Sequence, residues 1–100
     1  MKHLGRIHGT GTLRSDNEAV ALVDYDFDGF LVRGAVTGSG EIRMPSDTLR
    51  KVFGRADLRL LTDDGRLLSL HFSERCLAEA SDAAHVDVTG ALPSRLEWRT

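Results

Sequence analysis

The sequence predicts a small, mainly β domain, built as an antiparallel β-barrel or sandwich of about seven short strands with one or two short helices. Three observations lead to this prediction. Apolar and polar residues alternate over several short stretches, as they do on strands with one buried face. Turn-forming clusters of Gly, Asp, Asn, Ser and Pro separate these stretches. The connections are short, which favours antiparallel neighbours, and a barrel or sandwich buries such strands.

The size and composition suit one soluble domain. The chain has 100 residues, of which 41% are hydrophobic and 28% charged, with a net charge of −2; these values argue against disorder and fit a modest core. We expect residues 1–92 to form the domain and residues 93–100 a C-terminal tail. The longest apolar run, 19–23, is too short to cross a bilayer, and residues 1–6 lack the apolar segment of a secretory signal. A single cysteine, Cys76, excludes an intramolecular disulfide and favours a reducing cytoplasm.

The most regular stretch spans residues 23–28, where apolar and acidic residues alternate strictly before a glycine. On a strand the two sets face opposite sides. We expect the core side to carry Val23, Tyr25 and Phe27, and the outer side to carry Asp24, Asp26 and Asp28.

Residues 3–14 form the preceding strand, which carries basic residues and no acid. If a three-residue loop, 16–18, joins the two strands, the numbers of paired residues sum to 34. This register places Arg6, His8 and Thr10 opposite the aspartates, and it places glycines beneath the aromatic rings. Both faces of the predicted hairpin are then chemically consistent. A loop over 15–17 would shift the partners by two and keep the faces, whereas a loop with an even number of residues would mix them.

Further along, two strands are predicted over residues 30–37 and 41–44, with the glycines of 38–40 reversing the chain between them. A two-turn helix follows over residues 47–53, with Ser46 as its N-cap. Its expected core-facing residues are Leu49, Val52 and Phe53.

The clearest hairpin joins strands 57–62 and 66–72 through Asp63-Asp64-Gly65, since Asp-Gly supplies the positive φ values of a tight turn. Residues 73–84 fit either a short helix or a long loop, and the sequence leaves both open. The last predicted strand is 85–89.

The acidic stretch also resembles positions 1, 3, 5 and 6 of the EF-hand calcium loop, through Asp24, Asp26, Asp28 and Gly29. Position 12 should be a bidentate glutamate and is Ala35. On a strand, moreover, alternate carboxylates do not converge on one ion. The three aspartates are therefore weak metal candidates, and we expect a charge-paired surface with Arg6 and His8 across the ladder.

No catalytic set and no cofactor site is predicted. The serines lack the nucleophile-elbow pattern, and Cys76 with four dispersed histidines is a poor zinc set. The glycines of 9–11 and 38–40 lack the other residues of nucleotide-binding loops. Basic residues near Arg50, Lys51 and Arg55 are interspersed with acids, which disfavours nucleic acid.

The tail contains the only tryptophan, Trp98, alternating with charge beside Leu96. Both are candidate interface residues, and docking of Trp98 onto its own domain is the other possibility. The favoured prediction is a non-catalytic, cytoplasmic interaction module that binds a protein partner or a second copy of itself, without a membrane. The alternatives are ligand or metal binding through the aspartates with His8, and single-stranded nucleic-acid binding.

Overall fold

A computed structural model describes residues 1–78, 80–94 and 97–98 and shows a closed antiparallel barrel of six strands. The elements are β1 Lys2–Ser15, β2 Glu18–Val32, β3 Ala35–Arg43, α1 Ser46–Val52, β4 Arg59–Thr62, β5 Leu67–Phe72 and β6 Ala83–Gly90. Around the barrel the order is β1-β2-β3-β6-β5-β4, and β4 closes on β1. The predicted fold class is confirmed. Within the described residues, no helix combines the length and the apolar character needed to cross a membrane.

The β1–β2 hairpin has the predicted register over residues 6–13, where the numbers of paired residues sum to 34. Its turn, however, has two residues, Asp16 and Asn17, and not three. Both adopt positive φ, 52° and 65°, a conformation that Asp and Asn tolerate better than most residues. The pairing shifts by one residue between Leu13 and Arg14, where Arg14 pairs with Ala19. This shift accommodates the two-residue turn, so the even loop does not mix the two faces.

The prediction of separate strands over 30–37 and 41–44 is wrong. β2 continues to Val32, and the chain reverses at Arg33 and Gly34, whose φ values are 52° and 81°. Two successive residues with positive φ form the kind of turn that matches the twist of a hairpin, so the reversal comes earlier than the glycines of 38–40 suggested.

Those glycines lie inside β3 and pair with β2. A Cβ on Gly40 would stand 2.1 Å from the carbonyl oxygen of Asp26 and 2.8 Å from the Cα of Phe27. The two backbones therefore approach more closely here than any residue with a side chain allows. Gly40 serves strand packing, a role that glycine has in strands as well as in turns.

The helix α1 begins at Ser46, one residue earlier than predicted, because Pro45 occupies the N-cap position that was assigned to Ser46. No side chain caps the helix. Leu49 and Val52 are buried as expected, while Phe53 is half-buried and its ring lies 4.8 Å from that of Phe72.

The core lies inside the barrel and beneath α1, and every strand contributes to it. The β4–β5 hairpin turns as predicted, with Gly65 at φ 89°. Between Phe72 and Ala83 the described residues form a loop without a helix. Of the two structures that the sequence left open for this segment, the loop is therefore the one observed. The largest fully buried side chains are Phe27, Leu13, Ile42, Leu49, Leu58, Leu60, Leu68, Leu70, Val23, Val52, Val86 and Val88.

Candidate interaction surface

The aspartates of β2 lie on the outer face of the barrel, and each is held by a different neighbour. Arg6 stands opposite Asp28 in the ladder but reaches diagonally to Asp26, donating from Nε to Oδ1 at 2.6 Å and from Nη2 to Oδ2. The other two contacts, each 3.0 Å long, join Thr10 Oγ1 to Asp24 Oδ1 and His3 Nε2 to Asp28 Oδ1.

This arrangement favours charge pairing over ion binding. The hydrogen bond from Arg6 holds the pKa of Asp26 below its usual value, and Asp26 raises the pKa of Arg6. The carboxylates follow one strand with their side chains turned to separate partners. Among the described residues, no group of three His, Cys, Asp or Glu side chains is arranged to hold a metal ion.

Beside Tyr25, a cleft of about 370 Å³ opens at the barrel surface. The Tyr25 hydroxyl donates to Asp63 Oδ1 at 2.8 Å. Burial, and then the bond to this carboxylate, raise the pKa of Tyr25 far above its ordinary value. At neutral pH the phenol is therefore a fixed hydrogen-bond donor and not a base. Arg66, which also lines the cleft, contacts Asp64 at 3.4 Å and Glu97 at 2.7 Å.

The tail residue Trp98 docks on its own barrel, one of the two possibilities that the sequence left open. Its side chain is buried, and Nε1 donates to the Pro93 carbonyl oxygen at 3.1 Å. The ring lies over Gly29, where a Cβ would stand 2.5 Å from it. While it is seated there, the indole faces the protein's own backbone. The other interface candidate, Leu96, lies outside the described residues.

The remaining candidate groups are scattered. His71 faces Asp87, and His85 faces Glu41, on the outside of neighbouring strands; Cys76 is exposed in the loop that follows β5. His8, which the sequence linked with the aspartates, does lie beside two of them: His8, Asp24 and Asp26 line one surface pocket of about 630 Å³.

Near the β1–β2 turn, Ser15 is buried and bonds both carboxylate oxygens of Asp57 at 3.1 Å. Asp57 also shares a hydrogen bond with Asp16, which lowers the pKa of Asp57 and raises that of Asp16. Arg55, a residue of the predicted basic region, donates to Ser15 Oγ at 3.0 Å. These groups fix the turn and the loop after α1 to one another.

A row of outward side chains, apolar except for Thr12, crosses four neighbouring strands. In the ladder Leu22 pairs with Thr12, Thr12 with Leu61, and Leu61 with Leu67. Leu22 is 71% exposed, Leu67 40% and Leu61 38%. Val20, also 38% exposed, lies two residues before Leu22. We call Val20, Leu22, Leu61 and Leu67 the leucine stripe. Apart from Met1, they are the exposed large hydrophobic side chains among the described residues.

The stripe follows from doubled apolar residues. In Leu60-Leu61 and Leu67-Leu68 the inner position is filled by Leu60 and Leu68, both fully buried, so strand alternation turns the other leucine outward. Sequence reasoning missed this surface, although a signal was present. Two adjacent leucines in a strand whose outer face meets water must expose one of them.

Charged residues of both signs flank the stripe on its two sides. On one side Arg14 and Arg59 stand directly opposite each other on β1 and β4, and like charges in that position destabilise a strand pair. Arg14 donates to the Asn17 carbonyl oxygen at 2.7 Å, and Asp16 and Asp57 line the same surface pocket as Arg14 and Arg59. On the other side lies Asp24, between its ladder partners Thr10 and Arg43.

Comparison with known proteins gives no match. Neither the family models nor the curated proteins nor the solved structures resemble this chain closely enough to be matched. The function is therefore argued from the surface itself.

Proposed function

We propose that this protein is a non-catalytic interaction module that binds a protein partner through the leucine stripe. One observation carries the proposal: the exposed large apolar side chains of the barrel wall lie together in a single row. Single exposed leucines are normal on a protein surface, whereas contiguous apolar patches with a polar rim mark interaction sites.

The setting of the stripe supports binding in two ways. Its residues stand on paired strands of a closed barrel, so little conformational freedom is lost when a partner docks. Leu22, the most exposed member of the stripe at 71%, adds little stability to the isolated barrel, because most of its apolar surface stays in water. The rim of the stripe is polar on both sides, with Arg14, Arg59, Asp16 and Asp57 on one side and Asp24 and Arg43 on the other.

A cytoplasmic location is part of the proposal. The support is chemical: the chain has one cysteine, which is free and exposed, and such thiols are typical of reducing compartments.

Metal or ligand binding through Asp24, Asp26 and Asp28, and binding of single-stranded nucleic acid, receive less support. The aspartates already hold side-chain partners, as described above. Several arginines also engage carboxylates: Arg43 contacts Glu41 at 2.5 Å and Arg66 contacts Glu97 at 2.7 Å. Such pairs reduce the positive field that a phosphate backbone requires.

Site-specific photo-crosslinking in cells that naturally express the protein tests the proposal. A photoreactive amino acid replaces Leu61, in the centre of the stripe, and a matched control replaces Ser39, on the outer face of β3. We expect a discrete crosslinked product from position 61 that disappears when Leu22→Glu is added, and no such product from position 39. Absence of a product at position 61, or equal products from both positions, would contradict the proposal.

A further inference from the structure

We propose that the open edge of β1 binds an extended peptide segment, and that a lysine or arginine of this segment enters the cleft beside Tyr25 and pairs with Asp63. This site is separate from the leucine stripe and does not depend on what the stripe binds. It is carried by an unpaired strand edge, by a cleft that lies along it, and by the charges of that cleft.

β1 is much longer than the strand that closes the barrel against it. β4 pairs with β1 only over residues 11–14, whereas β2 pairs with β1 over residues 2–15. Residues 2–10 therefore have no strand along their second edge in the described part of the chain, and no backbone hydrogen bond joins that edge to a described loop. Every second residue of such an edge turns its N–H and C=O outward, which is a template for another strand.

The cleft of about 370 Å³ lies along this open edge. Arg6, Ile7 and His8 all line it, although successive side chains of a strand point to opposite faces. A cleft that three consecutive residues line therefore lies at the edge of the strand and not on one of its faces. Its opposite wall comes from the β4–β5 turn and from the tail, through Arg66, Pro93 and Glu97.

A cleft with these two walls fits a single extended segment. A segment paired with β1 would have the turn and the tail along its other edge. A second copy of the barrel cannot enter in this way, because each of its strands already carries a neighbouring strand. A strand occupies about 3.3 Å of length, 4.8 Å of width and 10 Å of thickness per residue, so the cleft holds about two residues of the segment, and the residues beside them follow the open edge.

Asp63 gives the cleft a preference for a cation. Its Oδ1 accepts the hydrogen bond from the Tyr25 hydroxyl at 2.8 Å, and its Oδ2 lies over Gly9, where a Cβ would stand 2.9 Å away. The other permanent charges that line the cleft are already paired, Arg6 with Asp26 and Arg66 with Asp64 and Glu97. Asp63 has no ion-pair partner among the described residues.

The sum of the charges agrees with this preference. Together with Asp26, the lining of the cleft holds four carboxylates and two guanidinium groups, so its net charge is negative while His8 is neutral. Lys2 and His3 lie further along the edge, where His3 contacts Asp28, and neither lines the cleft.

Lysine and arginine also suit the cleft in shape. Their apolar stems can lie against Ile7 and Pro93 while the charged end reaches Asp63. The bond from Tyr25 holds the carboxylate in place, so little freedom is lost when a cation arrives. Main-chain bonds to a strand edge give affinity in this mode of recognition, and the side-chain pocket gives selectivity.

Titration of the full chain with synthetic peptides tests the proposal. The probe is the end-blocked heptapeptide Thr-Val-Thr-Lys-Thr-Val-Thr, compared with peptides in which norleucine or glutamate replaces the lysine. We expect the lysine peptide to bind with a dissociation constant on the order of 0.1–1 mM. The other two should bind about three- to fivefold more weakly, because they cannot form the ion pair.

Two variants and one further measurement locate the site. Asp63→Asn keeps an acceptor for Tyr25 and should abolish the difference between the lysine and norleucine peptides. Asp87→Asn, on the outer face of β6, is the matched control and should leave that difference unchanged. Bound peptide should also slow hydrogen exchange at alternate amides of residues 4–10, since these gain partners.

No binding of the lysine peptide, equal binding of all three peptides, or a lysine preference that survives Asp63→Asn would each overturn the proposal. Slowed exchange along a different edge would do so as well. Protection of β1 that follows protein concentration and not peptide would assign the edge to a second copy, which also overturns it. None of these results bears on the leucine stripe, which the crosslinking experiment tests separately.

Discussion

The indole ring of Trp98 occupies the space above Gly29 in which any other residue would carry its side chain, since a Cβ there would stand 2.5 Å from the ring. The tail is therefore fastened to the barrel by a tryptophan that fits only a glycine. Its Nε1–H is also satisfied, by the Pro93 carbonyl oxygen, so the ring is buried without an unpaired polar group.

Gly29→Ala should release the tail while the barrel remains folded. The added methyl group displaces the ring and exposes it to water, and because Trp98 is the sole tryptophan, its fluorescence should shift to longer wavelength. Ser39→Ala, on the outer face of β3, is the matched control and should leave the emission unchanged. Unaltered emission in Gly29→Ala would show that Trp98 does not rest on Gly29.

Tyr25 should titrate at unusually high pH. Burial and the bond to Asp63 raise its pKa, and it is the only tyrosine in the chain, so tyrosinate absorbance reports on it alone. In the folded state the rise should come well above the ordinary value of about 10, and in urea it should return to that value. Asp63→Asn, which removes the carboxylate but keeps a hydrogen-bond acceptor, should lower the folded pKa.

The same shift implies a loss of stability in alkali. A group whose pKa is raised on folding favours the folded state fully below the unfolded pKa, and this contribution disappears as the pH rises towards the folded pKa. The free energy of unfolding should therefore fall above about pH 10, and it should fall less in Tyr25→Phe. Equal slopes for the two proteins in alkaline denaturation would contradict the buried, bonded phenol.

Gly40→Ala should destabilise the barrel strongly. The methyl group would stand 2.1 Å from the Asp26 carbonyl oxygen, which belongs to backbone and cannot rotate away, so β2 and β3 must separate. Overpacking of this kind costs about 1–3 kcal/mol or more, and thermal or urea unfolding measures it. Ser39→Ala, next in the chain on the outer face, should change the unfolding free energy by less than about 0.5 kcal/mol. A tolerated Gly40→Ala would mean that the strands are not this close.

Leu22, in the leucine stripe, should be dispensable for folding. Leu22→Lys removes a side chain that is 71% exposed, so the unfolding free energy should change by less than about 0.5 kcal/mol. Its matched contrast is Leu60→Ala, fully buried in β4, which should cost about 2–5 kcal/mol. Equal losses would place Leu22 in the core and remove it from the surface.

Local patterns predicted the first hairpin well. Strict alternation over residues 23–28 defined the buried face. The register derived from a three-residue loop, and supported by opposite charges on the two strands, is correct over 6–13, even though the turn is one residue shorter than expected. A register shift between Leu13 and Arg14 offsets the shorter turn, so the same side chains face the core and the solvent as predicted. Register is robust here because a one-residue slip would have turned the aspartates into the core.

The misplaced turn shows what local chemistry cannot decide. Arg33 and Gly34 reverse the chain, yet the glycines of 38–40 looked equally suited to a turn. What separates the two sites is tertiary: Gly40 is required where β3 passes close to β2. The leucine stripe escaped prediction for the related reason that neighbouring strands on the barrel, β1 with β4 and β4 with β5, bring together residues far apart in the sequence.

The account depends most on the claim that the leucine stripe binds a protein partner. Photo-crosslinking from position 61, in cells that naturally express the protein, measures this directly. We predict a discrete crosslinked product that disappears when Leu22→Glu is added, and no such product from position 39. No product at position 61, or equal products from both positions, would contradict it.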